Sequence, residues 1–287
     1  VTLQHEQRLI NGIRLHYVTD GAGPLLLLLH GFPEFWYSWR YQIPVLARHY
    51  TVVAPDLRGY NESEKPARVR DYRLAILIDD VVGLIEALGE KQAIVAGHDW
   101  GGAVAWGAAL TRPEAITKLV ILNMPHPRIF VQHLLTNARQ LARSWYTFFF
   151  QLPWLPERAL RANNFQVIQA MFRRTSTVPA LFDREVMTQY RDALAKPGAL
   201  TAALNYYRAA GRYGLLSQLD SAAVVQQPTL VIWGEQDAAL GTELTYDLER
   251  YVPKLTLRYI PNASHWVQQE KPELVNRYML EFLTSAG

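Results

Sequence analysis

Residues 93–102 read AIVAGHDWGG, and no other stretch limits the fold of this chain as strongly. An apolar run ends at Gly97, an acid stands at the apex as Asp99, and Gly101 and Gly102 lead into a small-residue, helix-period segment. Glycines on both sides of the apex permit backbone angles and a close strand–helix approach that side chains would block. The pattern therefore reads as a strand turning sharply into a helix, with one side chain presented above the C-terminal edge of a sheet. A plainer use for Asp99 is to cap the helix that follows, a common duty for aspartate.

The rest of the chain supplies a sheet for that turn to stand on. Apolar, β-rich segments at Arg14–Thr19, Leu25–His30, Thr51–Ala54, Ala93–His98 and Lys118–Leu122 alternate with helix-period segments at Trp39–Arg48, Asp71–Leu88 and Gly102–Leu110. Strands as apolar as LLLLLH and YTVVAPD suit a parallel sheet buried on both faces, so the fold class is α/β. The alternation stops after Leu122, and about a hundred residues rich in Arg, Ala and aromatics follow with helical spacing. It resumes with a strand at Thr229–Trp233, a helix near Glu243–Tyr251, a strand at Thr256–Ile260 and a helix from Pro272 to Leu283. The predicted organisation is one core domain, residues 1–126 and 223–287, carrying a helical cap at residues 127–222 as a lid.

Composition narrows the function classes. A chain of 287 residues, 49% hydrophobic and 19% charged, is globular and can bury one or two cores. Its net charge of +3 is small, without the dense basic cluster that nucleic-acid binding needs. Without cysteine there is neither disulfide nor thiolate chemistry, which fits a reducing compartment and makes the cytoplasm the expected location. The longest purely aliphatic run, Leu25 to Leu29, is too short to cross a bilayer. No basic, apolar, small-residue leader is visible.

A catalytic turn of this kind needs an acid and then a histidine further along the chain. VIWGEQDAAL ends a predicted strand with Asp237, and IPNASHWVQQ follows the last strand with His265. Glu235 is the rival acid, but it lies nearer the strand and should point elsewhere. His30 and His98 are expected to pack or to hydrogen-bond. HGFPE, residues 30–34, follows the third strand, so the backbone N–H groups of Phe32 and Trp100 become candidate oxyanion donors. A carboxylate at the apex changes the chemistry. With an ordinary pKa near 4 it is already an anion at neutral pH and attacks without a base. Attack on an ester or amide would give a labile anhydride, whereas attack on strained or activated sp³ carbon gives an ordinary alkyl ester. Epoxides and alkyl halides are thus the favoured electrophiles. His265, oriented by Asp237, would then activate water to hydrolyse that ester. No metal or other cofactor is required, and no His-Glu-x-x-His motif is present.

HGFPEFWYSWRYQ, GHDWGG and HWVQQEKP together make the chain resemble, over nearly its whole length, the α/β-hydrolase fold and within it the epoxide hydrolases. That resemblance implies a mostly parallel sheet flanked by helices, a small hydrophobic epoxide and water as the reactants, and two cap tyrosines as the acid that protonates the opened ring. SWYTFFFQLP supplies Tyr146, and LNYYRAA supplies Tyr207. Tyr206 stands where the family has tryptophan, which leaves open which of the adjacent tyrosines faces the pocket. Phe32, Trp100, Phe149, Trp154 and Trp266 are the expected pocket walls. Haloalkane dehalogenases share the Asp turn and often the following tryptophan, but many carry asparagine after His-Gly where this chain has Phe32. A third possibility is a hydrolase scaffold that binds ligands without chemistry. The oligomeric state is not readable from the sequence.

Overall fold

A computed structural model describes residues 3–215 and 224–285. Eight strands form one sheet: β1 (Gln4–Ile10), β2 (Ile13–Asp20), β3 (Leu25–Leu29), β4 (Thr51–Pro55), β5 (Ala93–His98), β6 (Ile116–Leu122), β7 (Thr229–Gly234) and β8 (Leu255–Ile260). Their order is β1-β2-β4-β3-β5-β6-β7-β8. β2 runs antiparallel to both β1 and β4, and every pairing from β4 through β8 is parallel. The C-terminal ends of β3, β5, β6, β7 and β8 therefore open on one edge, where open α/β sheets bind ligands.

Helices cover both faces. They are α1 (Ile43–Leu46), α2 (Leu74–Ala87), α3 (Trp100–Thr111), α4 (Pro127–Thr136), α5 (Ala138–Arg143), α6 (Trp145–Phe149), α7 (Leu155–Thr175), α8 (Arg184–Ala195), α9 (Ala199–Tyr213), α10 (Val267–Glu270) and α11 (Pro272–Thr284). Period-2 alternation splits the aliphatic run of β3 between two cores. Leu25, Leu27 and Leu29 join the cluster on the α2–α3 side, while Leu26 and Leu28 join Ile43, Leu46, Val275 and Met279 on the α1–α11 side. Each fully buried leucine contributes about 1.5–3 kcal/mol, so β3 alone anchors both layers. Between β6 and β7 the chain leaves the sheet as α4–α9. None of the described residues there is in a strand. The predicted end of that segment, residue 222, lies outside the described residues.

Two predicted elements differ, and one strand is additional to the prediction. The polar segment QHEQRLI is β1, an edge strand exposed except at Ile10, so it carries no hydrophobic alternation to read. The helix expected over Trp39–Arg48 is a 3₁₀ turn, Trp36–Trp39, followed by the single turn of α1, which has proline in its first turn. The helix expected near Glu243–Tyr251 is two 3₁₀ turns, Thr242–Thr245 and Leu248–Arg250, separated by Asp247 in the left-handed region.

Candidate active site

Asp99 joins β5 to α3 with φ of 48° and ψ of −122°. A non-glycine residue there is strained by about 1–3 kcal/mol and persists because its surroundings fix it. The glycines provide that fixing. A Cβ on Gly97 would overlap the Gly101 backbone, one on Gly101 the Leu29 carbonyl, and one on Gly102 the Met124 side chain. Helix α3 can lie this close to β3 and β5 only because those positions are bare. Gly31 serves differently, since a Cβ there would meet the carboxylate of Asp99 itself.

The carboxylate is held from two sides. The N–H of Phe32 donates to Asp99 Oδ1 at 2.8 Å, and Asp99 Oδ2 lies 3.6 Å from His265 Nε2. His265 Nδ1 donates to Asp237 Oδ2 at 2.7 Å. Asp237 Oδ1 accepts the N–H groups of Ala239 and Leu240 at 2.8 and 2.9 Å, and Oδ2 also accepts from Asn123 at 2.8 Å. Glu235, the rival acid, is exposed. Burial alone would raise the pKa of Asp99, but the neighbouring His265 imidazole outweighs it, and the carboxyl ends below its ordinary value. For Asp237, too, burial opposes ionisation and His265 reverses the sign. Burial pulls His265 down, yet the charge and hydrogen bond of Asp237, with Asp99 adding to them, leave it well above the usual imidazole value. The three form a charged chain at the sheet edge.

Behind it lies a polar support that the motifs did not reveal. Asn123, at the end of β6 with φ of 41°, donates to Asp237 and accepts the N–H of Gly234 at 3.0 Å, tying the acid loop to the strand. Asparagine tolerates this left-handed backbone better than most residues, and that is the one signal the sequence offered. His98 is fully buried. Its Nε2 donates to the carbonyl of His265 at 2.8 Å, and its Nδ1 meets Glu34 Oε2 at 2.8 Å. Glu34 also accepts from Gln268, from Gln269 and from the N–H of Gly31. One carboxylate thus braces the His98 ring, the Gly31 turn and the segment after His265. His30 accepts the N–H of Leu57 at 3.0 Å through Nε2, purely inside the fold.

Above the carboxylate, α6 and α9 bring an aromatic cluster. The Tyr207 ring makes edge contacts with Phe32, Trp100, Phe150 and Tyr146 at centroid distances of 5.4, 5.1, 5.0 and 5.9 Å. Tyr206 points away, donating its hydroxyl to the Arg58 carbonyl at 2.8 Å among Tyr60 and Tyr72. Of the adjacent pair, therefore, Tyr207 faces the site. Burial, reinforced by the negative charge of Asp99, pushes the hydroxyls of Tyr146 and Tyr207 well above the ordinary tyrosine value, so both carry their protons. Trp266 packs edge-on against His265 at 5.0 Å and donates to Thr175, forming a side wall. Phe149 is half-buried beside Phe150. Trp154 corrects the expectation of a pocket wall. It is 66% exposed at the N-terminal boundary of α7, where its backbone is left-handed with φ of 50°. Among the described residues no cluster of His, Cys, Asp or Glu could hold a metal ion.

Known proteins resemble this chain in sequence and fold. A family model for the alpha/beta hydrolase fold matches residues 24–272. The chain is 46% identical over 276 residues to the AB hydrolase superfamily protein YfhM of Bacillus subtilis, covering 95% of each. It is 40% identical over 281 residues to epoxide hydrolase 4 of Homo sapiens, covering 95% of this chain and 76% of that one. Among solved structures, an inhibitor complex of the Bacillus megaterium epoxide hydrolase superposes with a TM-score of 0.89 at 32% identity, over 98% of this chain and 100% of the other. Fold and sequence agree along almost the whole length, and the chain belongs to the epoxide hydrolases of the α/β-hydrolase fold.

Proposed function

We propose that the protein hydrolyses a small hydrophobic epoxide to a vicinal diol through a covalent ester on Asp99, without metal or organic cofactor. The observation that carries this reading is the carboxylate between the Phe32 amide and His265, beneath two protonated tyrosines. Oδ1 is already engaged by an N–H donor, which leaves Oδ2 as the attacking atom. The oxygen–carbon bond forms as the ring bond breaks, and Tyr146 and Tyr207 give the departing oxygen its hydrogen bonds and its proton. Oδ1 then becomes the carbonyl oxygen of the ester.

The second step uses the remaining groups. Esterification removes the negative charge of Asp99, and with it part of what holds the His265 pKa up, so the imidazolium releases its proton to solvent more readily and stands neutral, able to accept a proton, when the second step needs it. Water beside Nε2 loses its proton to His265 and attacks the Asp99 carbonyl carbon, while Asp237 stabilises the imidazolium. The N–H groups of Phe32 and Trp100 take the oxyanion charge on Oδ1. Phe32, Trp100, Phe149 and Trp266 give the site its apolar walls. In this reading residues 127–222 act as a cap on a core of residues 1–126 and 223–287, and the absence of cysteine favours the cytoplasm.

Replacing His265 with glutamine tests the scheme. Alkylation should proceed and hydrolysis should stop, so intact-protein mass should rise by the mass of the substrate. Arrested turnover with no such adduct would contradict the two steps. A chloroalkane assayed in parallel should release no chloride, which separates this reading from a dehalogenase.

A further inference from the structure

One stretch of the cap is built inside out. From α5 through α6 to the turn that follows, residues spaced four, three and four apart form two opposite stripes. The stripe turned toward the protein is polar: Gln140, Ser144, Thr147 and Gln151. Its members are satisfied, with Gln140 donating to Ser144 and to the Ala239 carbonyl, Thr147 to the Ser144 carbonyl, and Gln151 to the carbonyls of Thr147 and Tyr207. The stripe turned outward is apolar: Leu141, Trp145, Phe148 and Leu152, with Trp145 64% and Phe148 58% exposed. A helix in water presents the reverse pattern. Trp154 continues the same exposed surface, and of the eleven large hydrophobic residues that are exposed among the described residues, eight fall between Leu135 and Val167. That density marks an interaction surface.

Charge says what covers it. Residues 127–175 hold seven arginines against one acid, Glu157, so this segment is strongly positive while the rest of the chain is slightly negative. Glu157 is itself paired with Arg208, and Arg143 is the one arginine of the segment with an ion pair among the described residues. Arg139, Arg158 and Arg161 are exposed beside the apolar stripe in sequence. Two copies meeting through this face would bring like charges together. Aromatic and aliphatic side chains bordered by arginine are instead the chemistry of an anionic bilayer surface, where rings sit among head groups and guanidinium groups meet phosphate.

We propose that the α5–α6 face, with Trp145 and Phe148 at its centre, docks the protein on anionic lipid membranes. The segment would lie in the interface without crossing it, and no described helix is long and apolar enough to span a bilayer. Tyr146 leaves the same short helix on the side of the aromatic cluster, so docking would set a bilayer about one helix diameter, roughly 10 Å, from the site. Resting on the activity proposed above, that placement suits an epoxide dissolved in lipid.

The test measures binding without turnover, so its failure is distinct from failure of the catalytic reading. The full chain is sedimented with vesicles of mixed phosphatidylcholine and phosphatidylglycerol, and with phosphatidylcholine alone, at low and at high salt. Binding is expected to the mixed vesicles and to weaken with salt. The variant W145A/F148A should partition at least about tenfold less. R139Q/R158Q/R161Q should partition about a hundredfold less, at about fivefold per arginine. Circular dichroism and thermal melting should show both variants folded. Failure of the wild-type chain to bind mixed vesicles, or binding that neither variant changes, overturns the proposal. Sedimentation velocity supplies the competing outcome: self-association abolished by W145A/F148A, with no lipid binding, would assign the face to a second copy.

Discussion

Replacing Gly31 with alanine isolates the position of the Asp99 carboxylate from every other property of the site. The new Cβ would overlap Asp99 Cβ most closely and stand 2.6 Å from Oδ1 and 2.9 Å from Cγ, whereas ordinary carbon contacts begin near 3.5 Å. Something must move by roughly 1 Å. The Gly31 backbone cannot easily yield, because its N–H donates to Glu34 and its carbonyl accepts from the Glu34 N–H and the His30 ring. The displaced group is therefore the Asp99 side chain, Cβ and carboxylate together. Overpacking of this size costs about 1–3 kcal/mol, which for a chain this long lowers Tm by roughly 2–5 °C. Misplacing an attacking atom by ~1 Å slows attack about a hundredfold. Rapid-quench single turnover, reading alkyl-enzyme by mass, should show alkylation slowed by about that factor in G31A. G12A is the control. Gly12 has φ of +80° with no neighbour within 4 Å, so its alanine should lower Tm through backbone strain and leave alkylation untouched. Alkylation at the wild-type rate in a folded G31A would refute the steric argument.

Two further perturbations separate neighbouring roles. Y207F should slow alkylation by about 10²–10⁴-fold at little cost to Tm, the usual range for losing a positioned acid, with Tyr146 keeping some activity at the upper end. Y206F should do the opposite, losing about 1 kcal/mol with its bond to the Arg58 carbonyl while alkylation holds. In D99N the charge that helps hold His265 up is gone, so its imidazole NMR titration should move to lower pH. The sign for stability follows. A histidine whose folded pKa is raised contributes fully below its unfolded value near 6.5, and that contribution is lost as pH rises through the folded value. Denaturant melts should therefore show this loss at lower pH in D99N than in the wild-type chain. An unmoved titration would break the proposed coupling between esterification and the protonation state of His265.

The sheet was legible wherever its strands are buried on both faces, because LLLLL and AIVAG leave little else to build. The strand β1 was not, since pairing on one edge with β2 needs no apolar face. The turn at Asp99 was legible because close packing demands bare backbone at Gly97, Gly101 and Gly102. Asp237 and His265 could be chosen by their order along the chain, and the structure brings His265 to Asp99 and Asp237 to His265. Asn123 and Glu34 escaped, because each acts through hydrogen bonds between segments far apart in sequence, a relation that no local spacing encodes, whereas His98 makes hydrogen bonds as expected of it. Trp154 was misplaced for a related reason. Aromatic content foretells a hydrophobic cap, but not which face of a short helix looks inward, and in α5–α6 the usual rule is inverted.

The central claim is a transient bond between an oxygen of Asp99 and saturated carbon. A single turnover of excess wild-type protein with an epoxide in heavy-oxygen water tests it most directly, with the diol read by mass spectrometry. The account predicts that the hydroxyl added in that first cycle is light, having come from the aspartate side chain, and that the heavy isotope appears in Asp99. A heavy hydroxyl in the first diol released, with Asp99 unlabelled, would mean that water attacks the epoxide directly and would contradict it.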